Sequence, residues 1–331
     1  MVTYKQLGRT GLRISPIGVG SVNFSWLTSD EESFAIMDKA HDHGINFFDT
    51  ANNYNAGGSE TVLGKYFAQG GGRRDRTILA TKVFSPPMLW ASPDPAERMG
   101  ANAGPNERGL SAKHIRLACE ASLKRLNTDY IDIYQMHHVD RLTPWEEIWQ
   151  AMELLVAQGK VLYVGSSNFA GWQIAKASEI AKQRHFMGLV SEQSVYNLMQ
   201  RTVELEVLPA CREYGMGFFP YSPLASGNLA GTLLKDNVGR RRFTPVSPKV
   251  AQKIEQYQQI CEEIDSAPSA VAIAWLLKNP VVTAPILGPR TMAQFESALD
   301  ALTLELDDEV MGKLDELFKG PGGEAPEAYA W

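Results

Sequence analysis

Cysteine is scarce in this chain: three in 331 residues, Cys119, Cys211 and Cys261. They are widely spaced, odd in number and form no Cys-x-x-Cys pair, which argues against a disulfide framework and against a zinc site. Histidine is also sparse, six in all, and none stands at metal-ligand spacing from acids or cysteines, so no metal is expected. Long apolar runs are missing, and nothing approaches the length of a bilayer span. The opening stretch "MVTYKQLGRTGLRIS" lacks the apolar segment of a secretory signal. A cytoplasmic protein away from membranes is the expectation. Excess charge of one sign is small, a formal −6, and the one dense cationic run is Arg240–Arg242. Nucleic acid is therefore not expected as the partner; a small molecule is.

What is present is an alternation. Apolar runs at 16–19, 45–48, 77–81, 130–136, 161–165, 188–192, 216–220 and 283–287 read as eight short strands buried on both faces. Amphipathic stretches fall between many of them, near 58–69, 144–158, 171–183, 203–214 and 291–300. Ser29 and Glu32 have the spacing of a capping box ahead of a helix that Gly44 would stop. Ser111 is placed to cap another, with Ile115, Ala118, Ser122 and Leu126 on one face. Repeated strand–helix alternation predicts a parallel (β/α)8 barrel, and no break in composition divides residues 1–331 into two domains. Three segments stand outside the repeat. Residues 85–109, rich in Pro and Gly, and residues 225–249 are long connections of the kind that often carry function. After a last helical stretch near 307–318, the tail "GPGGEAPEAYAW" is expected to be irregular.

The polar residues fall in one place. "INFF" runs into Asp49, "TILAT" into Lys82, "YIDIYQM" into His137, "VLYVGS" into Ser167 and Asn168, "GLVSE" into Gln193, "MGFFP" into Tyr221 and Ser222, and "TAPIL" into Gly288 and Arg290. In a parallel barrel those strand ends share the face where active sites lie. Singly, each has an ordinary explanation: a solvated lysine, a turn aspartate, an interior histidine. Together on one face they suggest a site. With strands about 4.8 Å apart, Asp49 and Lys82 on neighbouring strands can pair. His137 falls on the next strand, roughly 10 Å from the first, and Tyr54, on the loop after Asp49, can fold back over Lys82. A cation beside a phenol favours the phenolate. Bringing a tyrosine from near pKa 10 to suit neutral pH takes roughly 4 kcal/mol of such interaction. Asp49 would keep Lys82 charged and aimed, and His137 would orient a substrate oxygen.

These segments, taken together, resemble the aldo-keto reductase family over nearly the whole chain, from "LGRTGLRISPIGVGS" to "PILGPRTMAQFESAL". The resemblance implies a catalytic set of Asp49, Tyr54, Lys82 and His137, the histidine matched at the first of the adjacent pair His137–His138. It implies that Ser167, Asn168 and Gln193 hold a nicotinamide carboxamide and that Tyr221 stacks on the ring. Ser222, Leu224 and Ser226 would wrap a pyrophosphate, and Gly288, Arg290 and Gln294 would meet the adenosine phosphate. NADPH/NADP+ is the implied cofactor, because Arg290 is placed for a 2′-phosphate. The implied reaction is reduction of an aldehyde or ketone to an alcohol, with the proton from Tyr54. The chain departs from the family pattern at Ala298, where many relatives carry Asn, and at Asn53 and Asn55 beside the tyrosine.

Phe24, Trp26, Trp90 and His138 are candidates to line the substrate pocket. Asn52, Asn53 and His138 suit a hydroxylated carbonyl such as a sugar. Gly18-Val19-Gly20 opens like a dinucleotide fingerprint but has Asn23 in place of the third glycine, and Gly64-Lys65 lacks the rest of a P-loop. Two alternatives stay open. One is a catalytically weak regulatory relative that keeps the cofactor site; the other is a barrel hydrolase or lyase that binds no nucleotide.

Overall fold

A computed structural model describes residues 2–90, 92–231 and 246–330. The cationic run Arg240–Arg242 lies outside the described residues, as do Ala91 and Trp331.

Two short antiparallel strands, β1 (Lys5–Gln6) and β2 (Arg13–Ile14), form an N-terminal hairpin. The eight that follow are β3 (Gly18–Gly20), β4 (Phe47–Asp49), β5 (Ile78–Val83), β6 (Ile131–Met136), β7 (Val161–Ser167), β8 (Leu189–Val195), β9 (Gly217–Tyr221) and β10 (Ile286–Leu287). All are parallel, in the order β10-β3-β4-β5-β6-β7-β8-β9. Between β9 and β10 the ladder shrinks to a bridge of Phe218 with Val282, beside which the Thr283 N–H donates to Phe218 O (2.9 Å). The result is a nearly closed (β/α)8 barrel.

Its interior is filled by side chains, including Phe47, Ala80, Ile133, Val190, Phe219 and Ile286. The hairpin plugs one end: Leu7 and Ile14 join this inner cluster. Gly217 is glycine for this reason, since a Cβ there would come within 2.3 Å of Leu7 Cδ1. A second, larger core lies between the strands and the outer helices.

The strands run further than their apolar stretches. Asp49, Lys82, Ser167 and Gln193 belong to the ladders themselves, because polar residues at the rim still exchange backbone hydrogen bonds. Helices form at Gly58–Ala68, Ala112–Leu126, Trp145–Ala157, Gly171–Gln183, Val203–Glu213, Met292–Leu299 and Asp308–Leu317. Ser111 Oγ accepts from the His114 N–H (3.2 Å), as its position predicts.

Four expectations need correction. Ser29 caps the helix Asp30–Asp42 through the Glu32 N–H (3.2 Å), but the Glu32 carboxylate accepts from the Met292 N–H (2.6 Å). It therefore ties two helices together instead of closing a capping box. Two helices, Pro248–Glu263 and Pro268–Lys278, occupy the stretch before β10 where the sequence suggested none. Their prolines, at the first turn, start the helices without interrupting them. The 85–109 segment contains a helical turn, Pro95–Met99, capped by Asp94. The tail ends in another, Glu327–Ala330, after Ala325 N–H bonds Leu205 O (2.9 Å) and Glu324 pairs with Arg212 (2.7 Å). Among the described residues no helix is long and apolar enough to cross a membrane.

Candidate active site

The rim at the C-terminal ends of the strands brings Asp49, Lys82, Tyr54 and His137 together. Interior positions on β4 and β5 alternate, so Asp49 stands one step above Phe47 and Lys82 one step above Ala80, all facing inward. Lys82 Nζ donates to Asp49 Oδ2 (2.6 Å), to Thr50 O (2.8 Å) and to Tyr54 Oη (3.3 Å). The pair is shut off from water, with side chains 0% and 3% exposed. Burial alone would discharge the lysine, but Asp49 and Tyr54 outweigh it and its pKa is raised. Lys82 is therefore a permanent cation against the phenol.

The segment that returns Tyr54 over Lys82 is a tight turn. Asn55 and Ala56, directly after Tyr54, are left-handed (φ 46° and 55°). Such strain in non-glycine residues persists only where the surroundings fix it. Here the Ala56 N–H donates to Met88 O (2.9 Å) and Asn55 Nδ2 to Ser25 O (3.0 Å). Asn52 Nδ2 reaches Ser85 O (3.4 Å) and Asn53 Nδ2 reaches Met88 Sδ (3.5 Å). Both asparagines are 5% exposed. They sew the Tyr54 loop to residues 85–88 and do not present amides to a pocket, which removes the asparagine argument for a sugar.

His137 stands edge-on to Tyr54, ring centroids 5.9 Å apart, and stacks on His138 at 5.2 Å. Burial, then the Lys82 charge, then His138 hold its pKa well below the usual histidine value. At neutral pH the ring is neutral and offers one N–H. Trp90 lies 5.5 Å from the Tyr54 ring and 5.8 Å from Trp26, forming an aromatic wall beside the phenol. Phe24 is not part of that wall; it is 0% exposed and packs in the outer core.

The remaining predicted residues lie along β7 to β10 on the same rim. Asn168, left-handed at φ 60°, donates from Nδ2 to His137 O (3.1 Å) and Ser167 Oγ (3.0 Å), and its Oδ1 accepts from Tyr221 Oη (2.9 Å). After β9, Ser222, Ala225 and Ser226 are all left-handed (φ 53°, 47° and 58°), with Leu224 at φ −99° standing between Ser222 and Ala225. The Ala225 and Gly227 N–H groups close this turn on Ser222 O (3.0 Å) and Leu224 O (2.9 Å), while the change of hand between Leu224 and Ala225 is the kind of backbone reversal that anion-binding turns use. Gly288 O accepts from Asn23 Nδ2 (2.8 Å). Gln294 Oε1 accepts from the Arg290 N–H (3.0 Å), so Gln294 fixes the backbone that presents Arg290. Ala298 is buried in the core. This donor set fits a dinucleotide: amides and hydroxyls on β7 to β9, the serine-bearing turn Ser222–Ser226 next, and the Arg290 guanidinium after β10.

Two buried residues escaped the sequence reading. Gln135, on β6, donates from Nε2 to Asp49 Oδ1 (3.0 Å). Its spacing two before His137 on an inward-facing row was the available signal. Gln193 Nε2 also reaches Asp49 Oδ1 (2.9 Å), which requires a change of facing in β8. Val164 pairs with Leu189 but Gly165 pairs with Ser191, so Val190 is an extra residue. The bulge turns Gln193 inward and Glu192 outward. Glu192, 0% exposed, accepts from Ser194 Oγ (2.6 Å), Ser166 Oγ and the Phe169 N–H (3.1 Å). Burial drives its pKa up to about 7 despite these bonds. No sequence spacing announces such a bulge.

Among the described residues no group of three or more potential metal-ligating side chains occurs. The rim of a parallel barrel thus holds a caged lysine–aspartate pair under a tyrosine. Comparison with known proteins fixes the lineage. The Aldo/keto reductase family pattern matches residues 16–319, and the chain belongs to that family. It is 51% identical to "Uncharacterized oxidoreductase YrpG" of Bacillus subtilis, over 99% of both chains. It is 33% identical to a "Probable voltage-gated potassium channel subunit beta" of Arabidopsis thaliana, over 98% of this chain and 99% of that one. It is 31% identical to "Versiconal hemiacetal acetate reductase" of Aspergillus parasiticus, over 95% and 96%. The protein is an oxidoreductase of this family.

Proposed function

We propose that the protein reduces an aldehyde or ketone to an alcohol with NADPH, in the cytoplasm, with Tyr54 as the proton donor. The observation that carries this reading is the Asp49–Lys82–Tyr54 chain, with contacts of 2.6 and 3.3 Å. A bound nicotinamide would supply the hydride. Ser167, Asn168, Gln193 and Tyr221 would hold its ring and carboxamide. Leu224, Ser222 and Ser226 would carry the pyrophosphate, and Gly288, Arg290 and Gln294 the adenosine phosphate. Lys82 favours the phenolate that remains once Tyr54 has given up its proton, and Asp49 keeps that lysine charged and in place. The neutral His137 donates its N–H to the carbonyl oxygen and orients it toward Tyr54. Trp26, Trp90 and His138 wall the substrate side, which favours a carbonyl compound with a flat or apolar face.

The test is NADPH oxidation against a broad panel of aldehydes and ketones, run with wild type and Tyr54→Phe. Wild type is expected to turn over, and the variant to lose about 10²-fold or more. Failure of NADPH to bind would sink the reading. A second reading comes from the likeness to channel β subunits: a cofactor-holding regulatory protein. It expects tight NADPH binding with negligible turnover, unchanged by Tyr54→Phe. The intact proton-transfer set favours the reductase.

A further inference from the structure

Asp49 receives more hydrogen bonds than its pairing with Lys82 requires. Oδ2 takes the ammonium at 2.6 Å, while Oδ1 takes two amides, Gln135 Nε2 at 3.0 Å and Gln193 Nε2 at 2.9 Å. A carboxylate 2% exposed needs a partner on each oxygen. Either amide alone would satisfy Oδ1, so the second is redundant unless one of them has other work.

The two amides are not equivalent. Gln135 is 0% exposed and sits inside the barrel, opposite Gly165 in the β6–β7 register. A Cβ on Gly165 would come within 3.1 Å of Gln135 Cγ and 2.5 Å of Ser191 Oγ, so this glycine makes the room in which Gln135 lies. Gln193 is paired with Ser167 at the rim, beside Asn168, and its amide also lies 3.5 Å from Gln135 Oε1. Gln193, 3% exposed, thus stands at the rim where a ligand would approach, whereas Gln135 is enclosed below it.

We propose that Gln135 is a positioning residue for the proton donor, holding Asp49 Oδ1 whenever Gln193 turns to the nicotinamide. The exchange rests on the cofactor site of the proposed function; the buried network of Asp49 with the two amides stands without it. With Gln135 in place, Gln193 exchanges Asp49 for cofactor and the carboxylate keeps a donor on each oxygen. Without Gln135, that exchange strips Oδ1 of its donors. The less satisfied carboxylate then draws the Lys82 ammonium toward itself and away from Tyr54 Oη, and the phenol becomes harder to ionise. The charged and titratable groups around Tyr54 in this arrangement are Lys82, Asp49 behind it, and the neutral His137 with His138 stacked on it.

The test uses the full chain with tyrosine labelled at Cζ, the Tyr54 resonance being assigned by Tyr54→Phe. Its titration is followed by NMR without cofactor in wild type, Gln135→Met, Gln193→Met and the double variant. Each single variant keeps one amide on Oδ1, so its Tyr54 midpoint stays close to wild type. The double variant is expected to titrate about one pH unit higher, a tenfold loss of acidity. A double variant that folds and titrates with wild type overturns the proposal. NADPH titration adds a second readout: affinity should fall about tenfold in Gln135→Met, because Gln193 is then held by Asp49. Should the variants fail to fold, the wild-type side-chain amide signals decide. Adding NADP+ should move the Gln193 amide and leave Gln135 in place, and the reverse pattern overturns the proposal. Wild type that binds no NADPH would defeat the reductase reading and the exchange with it, while the cofactor-free titration would still decide whether the two amides jointly hold Asp49 for Tyr54.

Discussion

Lys82 Nζ stands 2.6 Å from Asp49 Oδ2, with the lysine fully buried and the aspartate side chain only 3% exposed. In such a place neither charge is tolerated alone. Removing one partner of a buried ion pair costs about 3–5 kcal/mol, because the other charge is left uncompensated. Lys82→Met should therefore lose both activity, by about 10²- to 10⁴-fold, and stability. Tyr54→Phe should separate the two effects. It removes one hydroxyl at 3.3 Å from Lys82, worth about 1 kcal/mol or less, and with it the proposed proton donor. Urea denaturation beside NADPH-linked turnover checks the contrast. Equal destabilisation by the two variants would contradict it.

A second pair, a fully buried glutamate with a partly exposed arginine (27%), lies away from this rim set and isolates the structural effect. Glu60, 0% exposed, accepts from Arg125 Nε (2.7 Å) and from Thr81 Oγ1 (2.6 Å). It ties the helix Gly58–Ala68 to the helix Ala112–Leu126 and to β5. Arg125→Met strands the carboxylate and should cost about 3–5 kcal/mol. Arg125→Met with Glu60→Gln should recover part of that loss, since a neutral amide is cheaper to bury than an unpaired charge. A double-mutant cycle on unfolding free energies measures the recovery; no recovery would mean that the arginine acts through packing alone.

Much of this site was legible because a parallel barrel sends every strand end to one rim. The inward row Phe47, Asp49 and the matching Ala80, Lys82 follow from a period of two, and the loop length allows Tyr54 to return. The helices Pro248–Glu263 and Pro268–Lys278 were hidden because their leading prolines look like breakers until the first turn is recognised. The Asn52–Asn53 pair read as pocket polarity because sequence does not show that Ser85 and Met88 lie opposite. Above all, the facing of β8 depends on the extra residue Val190. A one-residue shift exchanges Gln193 and Glu192 between the barrel interior and its outer face, and no local pattern of side chains marks it.

Glu192 carries a consequence for stability against pH. Its pKa is raised to about 7 in the fold from the ordinary 4.5. Between those values the folded protein binds more protons than the unfolded chain, so this group makes stability fall as pH rises from about 4.5 to about 7. The full difference is about 3 kcal/mol. His41, lowered to about 4 by burial and Arg76, acts oppositely over pH 4 to 6.5, so the wild-type curve mixes both. The Glu192→Gln minus wild-type difference removes the histidine. That difference should grow in favour of the variant across pH 5 to 7 and stay level above, as read from urea midpoints. A flat difference would mean that Glu192 stays ionised beneath the Phe169 N–H.

On the proposed reading, Arg290 would decide between the two nicotinamide dinucleotides. Its backbone is fixed at both ends: the N–H donates to Gln294 Oε1 (3.0 Å), and the carbonyl accepts from Thr28 Oγ1 (3.3 Å). The guanidinium is partly buried, and burial pulls its pKa below the usual arginine value. A half-desolvated cation on an anchored backbone is held ready for a dianionic group, because the anion restores what burial took away. A charge-assisted hydrogen bond contributes about 1.5–3 kcal/mol. Arg290→Leu should therefore weaken NADPH binding by about 10- to 100-fold and leave NADH within about threefold. The wild-type preference for NADPH should shrink accordingly, with little change in turnover at saturating cofactor. Fluorescence titration of both nucleotides against both proteins measures it. Equal losses for NADPH and NADH would mean that Arg290 holds the loop and not the 2′-phosphate.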